Sequence, residues 1–288
     1  MTSTQVRAFA KVNLYLKILS KRPDGFHEIE TVMQNISLLD LLSIEKTDEG
    51  IIVECDDPAV PSGRANICYK VAERLLPLAG SRGVRIRINK SIPSGAGLGG
   101  GSSDAAAVIN ALNNIWELSL DDDALMKIAA DTGSDVPFFM RGGRALCTGR
   151  GEVVKKLPDM PETHLVLIKP GESVPTKWAY EEYDRSSAAD GYACFGSKTG
   201  GMFCSEKPRM SYENDFEKVI LPKYRGINDA RTSLLSAGAV SALMTGSGSA
   251  VFGIARGKEH AESILSKVKD LHPLSYVVRT VDRSFEIV

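Results

Sequence analysis

Apolar residues fill every even position from Val6 to Ile18: Val6, Ala8, Ala10, Val12, Leu14, Leu16 and Ile18. A period of two predicts a long strand with one buried face, the other carrying Lys11, Asn13 and Tyr15. Residues 19–30 read as a loop around Arg22-Pro23-Asp24-Gly25-Phe26-His27, with strands after it at 32–39, 42–45 and 51–54. Ile67, Val71 and Leu75 share one helical face, which predicts a helix over 66–76. Alternation returns in Val84-Arg85-Ile86-Arg87-Ile88-Asn89, a half-exposed strand. Ala105, Val108, Ile109, Leu112, Ile115 and Trp116 then recur at helical spacing. A further helix starts near Ser119, carries Asp121, Asp122 and Asp123 in its first turn, and stops at Gly133.

The second half has its own order. A short apolar strand is expected at 165–169, with helices at 176–184, 214–221 and 228–236. Strands at 242–245 and 250–255 are joined across Gly246-Ser247-Gly248-Ser249. An amphipathic helix at 260–271 and a strand at 276–281 complete the pattern. Read coarsely this is β-α-β-β-α-β, the split βαβ order. A boundary falls at 152–162, around Pro158 and Pro161. Residues 185–211 are rich in Gly and Ser with weak periodicity, and read as a surface insertion or mobile loop.

Between the two halves of the first pattern lies Pro93-Ser94-Gly95-Ala96-Gly97-Leu98-Gly99-Gly100-Gly101-Ser102-Ser103-Asp104, running directly into an alanine-rich helix. Glycine lets backbone approach a ligand closely, and a helix start offers unpaired N–H groups and the positive end of a dipole. Together they predict a phosphate cradle, hence a nucleotide. Gly101-Ser102-Ser103 lacks the lysine that ends a P-loop. The dinucleotide fingerprint is formally present at Gly95, Gly97 and Gly100. Arg85, Arg87 and Asn89, however, break the continuous apolar run of a first strand buried on both faces.

The 288 residues suffice for one large domain or two ordinary ones. A formal net charge of −1 gives no reason to expect a nucleic-acid partner. The five cysteines, Cys55, Cys68, Cys147, Cys194 and Cys204, form no C-x-x-C pair. That argues against a zinc site or disulfide framework and fits a reducing compartment. With neither an apolar signal core nor a run of transmembrane length, the chain reads as cytoplasmic, or as a mature form whose leader was removed, with no membrane partner.

The glycine stretch resembles the second motif of the GHMP kinases, the family of galactokinase, homoserine kinase and mevalonate kinase. Ala10-Lys11-Val12-Asn13-Leu14 resembles the first motif, and Met244-Thr245-Gly246-Ser247-Gly248-Ser249-Ala250-Val251-Phe252-Gly253 the third, in the right order. Arg22-Pro23-Asp24-Gly25-Phe26-His27-Glu28, Gly133-Ser134-Asp135-Val136-Pro137-Phe138-Phe139 and Asn214-Asp215-Phe216-Glu217 resemble the branch that phosphorylates a hydroxyl of a cytidine-diphosphate-linked sugar alcohol. The alternatives are a kinase of another small alcohol, or a silent nucleotide-binding protein on the same scaffold.

The resemblance implies a two-domain α+β fold. An N-terminal ATP-binding domain over 1–155, like the second domain of ribosomal protein S5, is expected beside a ferredoxin-like domain over 156–288, as monomer or homodimer. It implies ATP and Mg²⁺ as cofactors. Residues 93–103 would wrap the phosphates, with a serine hydroxyl of Ser102 or Ser103 near the metal and no residue assigned as a metal ligand. Lys11 and Asp135 take the catalytic roles: the lysine beside the transferring phosphate, the aspartate as base for the acceptor proton. Asn13, Phe26, His27 and Thr176 are the substrate-side residues, with Phe26 stacking on the base and His27 hydrogen-bonding to it. Asp104 is expected to turn away from the phosphates.

Overall fold

The computed structural model describes residues 3–80, 82–189 and 212–288. Strands β1 (Ser3–Lys21) and β2 (His27–Thr47) pair antiparallel over nearly their whole length. Their register shifts between Phe9 and Ala10, Asn13 and Tyr15, and Ile18 and Ser20. Such irregularities bend and twist a strand pair, and here they let one strand serve three cores. Val6 and Ala8 join the core beneath the first-half helices. Ala10, Val12 and Leu14 pack with Leu165, Leu167 and Phe252, and Leu16 and Ile18 pack with Phe216 and Ile220. The alternation predicts one buried face, whereas residues 8–16 are buried on both, Lys11 at 3 % exposure and Asn13 at 1 %.

The expected loop over 19–30 shrinks to residues 22–26, and the strands expected at 32–39 and 42–45 are parts of the single strand β2. Asp40, which interrupts the apolar pattern there, is a buried carboxylate. It accepts the backbone N–H groups of Ser91 (2.7 Å) and Ile92 (2.8 Å) and pairs with Lys90. A polar residue at this point is satisfied through the fold instead of marking a turn.

Strand β3 (Ile51–Cys55) leads through α1 (Ile67–Leu75) to β4 (Gly83–Asn89), parallel to β3 and antiparallel to β2. Asn66 caps α1 by accepting the Cys68 N–H at 2.8 Å. Helices α2 (Gly100–Ile115), α3 (Asp122–Thr132) and α4 (Val136–Arg141) follow, and their apolar residues share one core with β1, β2 and β4. Asp121 caps α3 on the Ala124 N–H at 2.8 Å, which fits the acidic start read from the sequence. Strands β5 (Arg144–Thr148) and β6 (Val153–Lys156) add a hairpin to β2.

The second half continues with β7 (His164–Ile168), α5 (Thr176–Ala189), β8 (Glu213–Asn214), α6 (Glu217–Ile220), α7 (Arg225–Ser236), β9 (Ser241–Met244), β10 (Val251–Ile254), α8 (Lys258–Val268), β11 (Ser275–Arg279) and β12 (Phe285–Ile287). Its antiparallel sheet runs β11-β7-β10-β9, the ferredoxin-like order of a split βαβ unit. Two late strands return to the first sheet: β8 lies parallel to β1, and β12 lies antiparallel to it. The insertion expected at 185–211 begins as the end of α5, and its residues 190–211 lie outside the described residues. Among the described residues no helix is long and apolar enough to cross a membrane, and Cys55, Cys68 and Cys147 are free.

Candidate active site

Two hollows meet at the glycine loop. The larger, about 780 Å³, is lined by Lys11, Asn13, Phe26, His27, Asp135 and Thr176 among others. The smaller, about 460 Å³, runs along residues 93–102 to the start of α2. Gly97 and Gly99 border both. Every catalytic and substrate-side residue named from the sequence lines the larger hollow, and the glycine loop walls the smaller one.

The loop geometry depends on the missing side chains. Gly97 has φ +76°, and a Cβ there would lie 2.2 Å from the Thr245 carbonyl oxygen, so the second and third motifs touch backbone to backbone. Gly99 has φ +72°; its Cβ would strike the Phe139 ring and lie 3.1 Å from the Lys11 side chain. Gly97→Ala is therefore expected to cost about 2 kcal/mol or more from left-handed backbone and overpacking together. It should also raise the KM for nucleotide. A thermal melt and ATP kinetics check both, and an unshifted melt would contradict the packing described.

The loop's apolar residues face inward. Ala96 and Leu98 are buried, and their carbonyls accept the N–H groups of Ala250 and Lys11. Ser103 departs from expectation. Its buried hydroxyl donates to the Phe9 carbonyl at 2.7 Å and its N–H to Gly99 O at 2.9 Å, so both groups are used inside the fold. Ser102, which borders the smaller hollow, is the serine left to face a ligand. Ser94 donates to Asp57 at 3.2 Å. Asp104 is turned onto Lys90 at 2.9 Å, and Lys90 also holds Asp40. Burial pushes the Asp104 carboxyl up against the pull of Lys90, while the two carboxylates hold the Lys90 ammonium above its ordinary range despite burial. This buried cluster ties β2, the strand-to-loop joint and the first turn of α2 together.

Lys11 and Asn13 project from the same face of β1. The Lys11 Nζ donates to Asn13 Oδ1 at 2.6 Å and stands 3.5 Å from Asp135 Oδ2. The Asn13 amide is oriented by its partners. Its Nδ2 donates to Thr31 Oγ1 (2.8 Å), whose own proton goes to the Tyr15 carbonyl (2.6 Å). Thr31 can thus only accept from Asn13, which leaves Oδ1 for the lysine. The Asn13 N–H donates to Thr245 Oγ1 at 3.0 Å, linking the first motif to the third.

Asp135 sits between α3 and α4. The Gly133 N–H closes α3 on Ala129 O, and Phe138 and Phe139 anchor α4 in the core behind. The Asp135 side chain caps no helix, which leaves its carboxylate beside Lys11. The sequence pattern missed α4, a six-residue helix whose Pro137 lies in the first turn, where proline is tolerated.

At the far end, Phe26 is half exposed with the Arg150 guanidinium 4.7 Å from its ring centre. His27 stacks on Tyr180 at 4.6 Å and 14°, and its Nε2 lies 2.7 Å from Asp184 Oδ1. Burial pushes the Tyr180 phenol up to about 12, so it stays neutral. Thr176, first residue of α5, meets Ser247 hydroxyl to hydroxyl at 3.0 Å. Arg150, Tyr180 and Asp184 were not singled out from the sequence. The aromatic and acidic positions of a charged amphipathic helix carry no local sign of a site.

The Asn214-Asp215-Phe216-Glu217 stretch acts as a brace. Asn214 Nδ2 donates to the carbonyls of Met244 (2.7 Å) and Gly246 (2.8 Å), and Asp215 accepts the Ile18 N–H at 2.9 Å. Glu217 accepts the Met244 N–H at 2.7 Å, and burial pushes its carboxyl up. Asn214, Asp215 and Glu217 together hold the third motif against β1.

The N-terminal domain model of the GHMP kinases matches residues 66–143, and the C-terminal model matches residues 207–273. The chain belongs to the GHMP kinases. Curated relatives of this GHMP kinase include the 4-diphosphocytidyl-2-C-methyl-D-erythritol kinase of Caldanaerobacter subterraneus subsp. tengcongensis, 39 % identical over 99 % of each chain. That of Gloeobacter violaceus is 42 % identical over 92 % of this chain and 89 % of its own. A crystal structure of 4-(cytidine 5'-diphospho)-2C-methyl-D-erythritol kinase superposes with a TM-score of 0.77 at 33 % identity, covering 96 % of this chain and 98 % of that one. Homoserine kinase from Cytophaga hutchinsonii, at 22 % identity and TM-score 0.73, shares the fold.

Proposed function

We propose that this GHMP kinase transfers the γ-phosphoryl group of ATP to the 2-hydroxyl of 4-diphosphocytidyl-2-C-methyl-D-erythritol, a step in making isoprenoid precursors by the non-mevalonate route. The observation that carries the reading is the junction of the two hollows. The Lys11–Asp135 pair lies beside Gly97 and Gly99, with a phosphate cradle on one side and an aromatic–histidine end on the other. The full-length likeness to relatives of that name supports the acceptor.

The backbone at 95–102 and the start of α2 would hold the phosphates, where a Cβ at Gly97 or Gly99 has no room. Mg²⁺ would neutralise phosphate charge there. No group of three or more His, Cys, Asp or Glu among the described residues could enclose a metal, so its ligands would be phosphate oxygens, water and the Ser102 hydroxyl. Asp135 takes the acceptor's hydroxyl proton late, as a loose transition state allows for a weak base. Lys11, held by Asn13, offers positive charge where negative charge develops on the transferring phosphoryl group and the acceptor oxygen. Phe26 gives a flat apolar face to the cytosine, and Thr176 closes the side toward Ser247. Among the described residues Cys55, Cys68 and Cys147 are free, which fits a reducing compartment.

The test is ATP turnover with Mg²⁺ against the cytidine-diphosphate substrate, homoserine, mevalonate and galactose, with products identified by mass. Phosphorylation of the first alone is expected; preference for another would discard the assigned roles of Phe26 and His27.

A further inference from the structure

His27, Lys21 and Asp184 converge from three elements. Lys21 ends β1, His27 begins β2 directly opposite it in the ladder, and Asp184 lies on α5 one turn beyond Tyr180. Asp184 Oδ1 meets His27 Nε2 at 2.7 Å, and Oδ2 accepts from Lys21 Nζ at 2.7 Å. The His27 ring is pinned in plane by Tyr180, which Phe216 backs edge-on at 4.8 Å. Among the described residues Nδ1 makes no hydrogen bond, and His27 lines the larger hollow.

Asp184 sets the role of the ring nitrogen that faces it. Partial burial pushes the Asp184 carboxyl up, but the hydrogen bonds from Lys21 and His27 prevail and hold it below the ordinary carboxylate range. It is therefore ionised at neutral pH and can only accept, so the nitrogen facing it carries the proton. Lys21 already supplies positive charge to this carboxylate, so the pairing does not require an imidazolium. A neutral ring with Nε2–H has a bare Nδ1.

We propose that Asp184 is a positioning residue that fixes the Nε2–H tautomer of His27, so that Nδ1 accepts a hydrogen bond from the exocyclic amine of a cytosine and rejects the carbonyl oxygen of a uracil. The proposal rests on the cytidine reading above and adds the group that makes it selective. A uracil would set one acceptor against another and leave both unpaired, which is costlier than a weak contact.

Binding of CDP and UDP, measured by calorimetry, tests this without turnover. The native chain is expected to favour CDP by about tenfold or more. Asp184→Asn can turn its amide toward Nε2 and invert the tautomer, and is expected to bring the CDP/UDP ratio close to one. Asp184→Glu should restore the preference in part. Lys21→Gln, which removes only the brace on Oδ2, should keep the ratio even where both affinities fall. A ratio unchanged in Asp184→Asn, or lost equally in Lys21→Gln, would overturn the proposal, as would binding of neither nucleotide. Long-range ¹H–¹⁵N spectra of the histidines give a readout independent of any ligand: Nε2–H at His27 is required, and Nδ1–H refutes it. A chain that prefers CDP yet phosphorylates no cytidine-linked acceptor would discard the kinase reading and keep this one.

Discussion

Replacing Asp135 by Asn should lower kcat by about 10³-fold while leaving ATP affinity within about twofold. The change keeps the side chain's size and removes its capacity to take a proton. Among the described residues Asp135 caps no helix, and α4 is anchored by Phe138 and Phe139. Among the described residues its one ionic contact is Lys11 at 3.5 Å. A melt unchanged beside a collapsed kcat is the expected combination, read by steady-state kinetics with nucleotide binding measured separately. Retained turnover would remove Asp135 from the role of base.

Lys11→Met should lower kcat by about 10²- to 10³-fold, the range seen when a donor aimed at developing charge is removed. Methionine fills much the same volume, and the strand's backbone pairing with β2 is untouched. The loss is expected in kcat more than in the acceptor KM, because the charge the lysine faces builds up in the transition state. In the proposed function Lys11 and Asp135 serve the same transfer, so the double variant should lose little more than Asp135→Asn alone. Additive losses in the double variant would mean that the two residues act separately. A lowered melt with normal kcat would make Lys11 a structural residue of a buried strand.

Much of this site could be read along the chain because its parts are local. The glycine loop needs its residues consecutive, and Lys11 and Asn13 share a strand face by simple alternation. The split βαβ order of the second half follows from short elements with clear periods. What the sequence hid is non-local. The period-two pattern over 6–18 predicts a solvated face for Lys11 and Asn13, yet that face lines a hollow walled by the glycine loop, α5 and the third motif, which alternation cannot reveal. Asp40 looks like a break between strands until Lys90 and the Ser91 and Ile92 amides are brought to it from some fifty positions away. Ser103 resembles its neighbour Ser102 in sequence, and only the helix phase turns its hydroxyl onto Phe9. β12 is three residues long and depends wholly on β1 for its partners. Asp184 is one acidic residue among several on α5, and only the strand ends opposite it give it a role.

In the proposed function the aromatic–histidine end and the Lys11–Asp135 junction form one site, so that binding at the first drives chemistry at the second. The most direct measurement compares kcat/KM for 4-diphosphocytidyl-2-C-methyl-D-erythritol with that for the same methylerythritol bearing its 4-phosphate but lacking the cytidylyl group. The reacting hydroxyl is identical in the two. Binding energy from the remote base is realised at the reacting centre, so the truncated acceptor should be worse by about 10³-fold or more, with part of the loss in kcat. Equal kcat/KM for the two acceptors would contradict the account, because the aromatic–histidine end would then contribute nothing to the transfer.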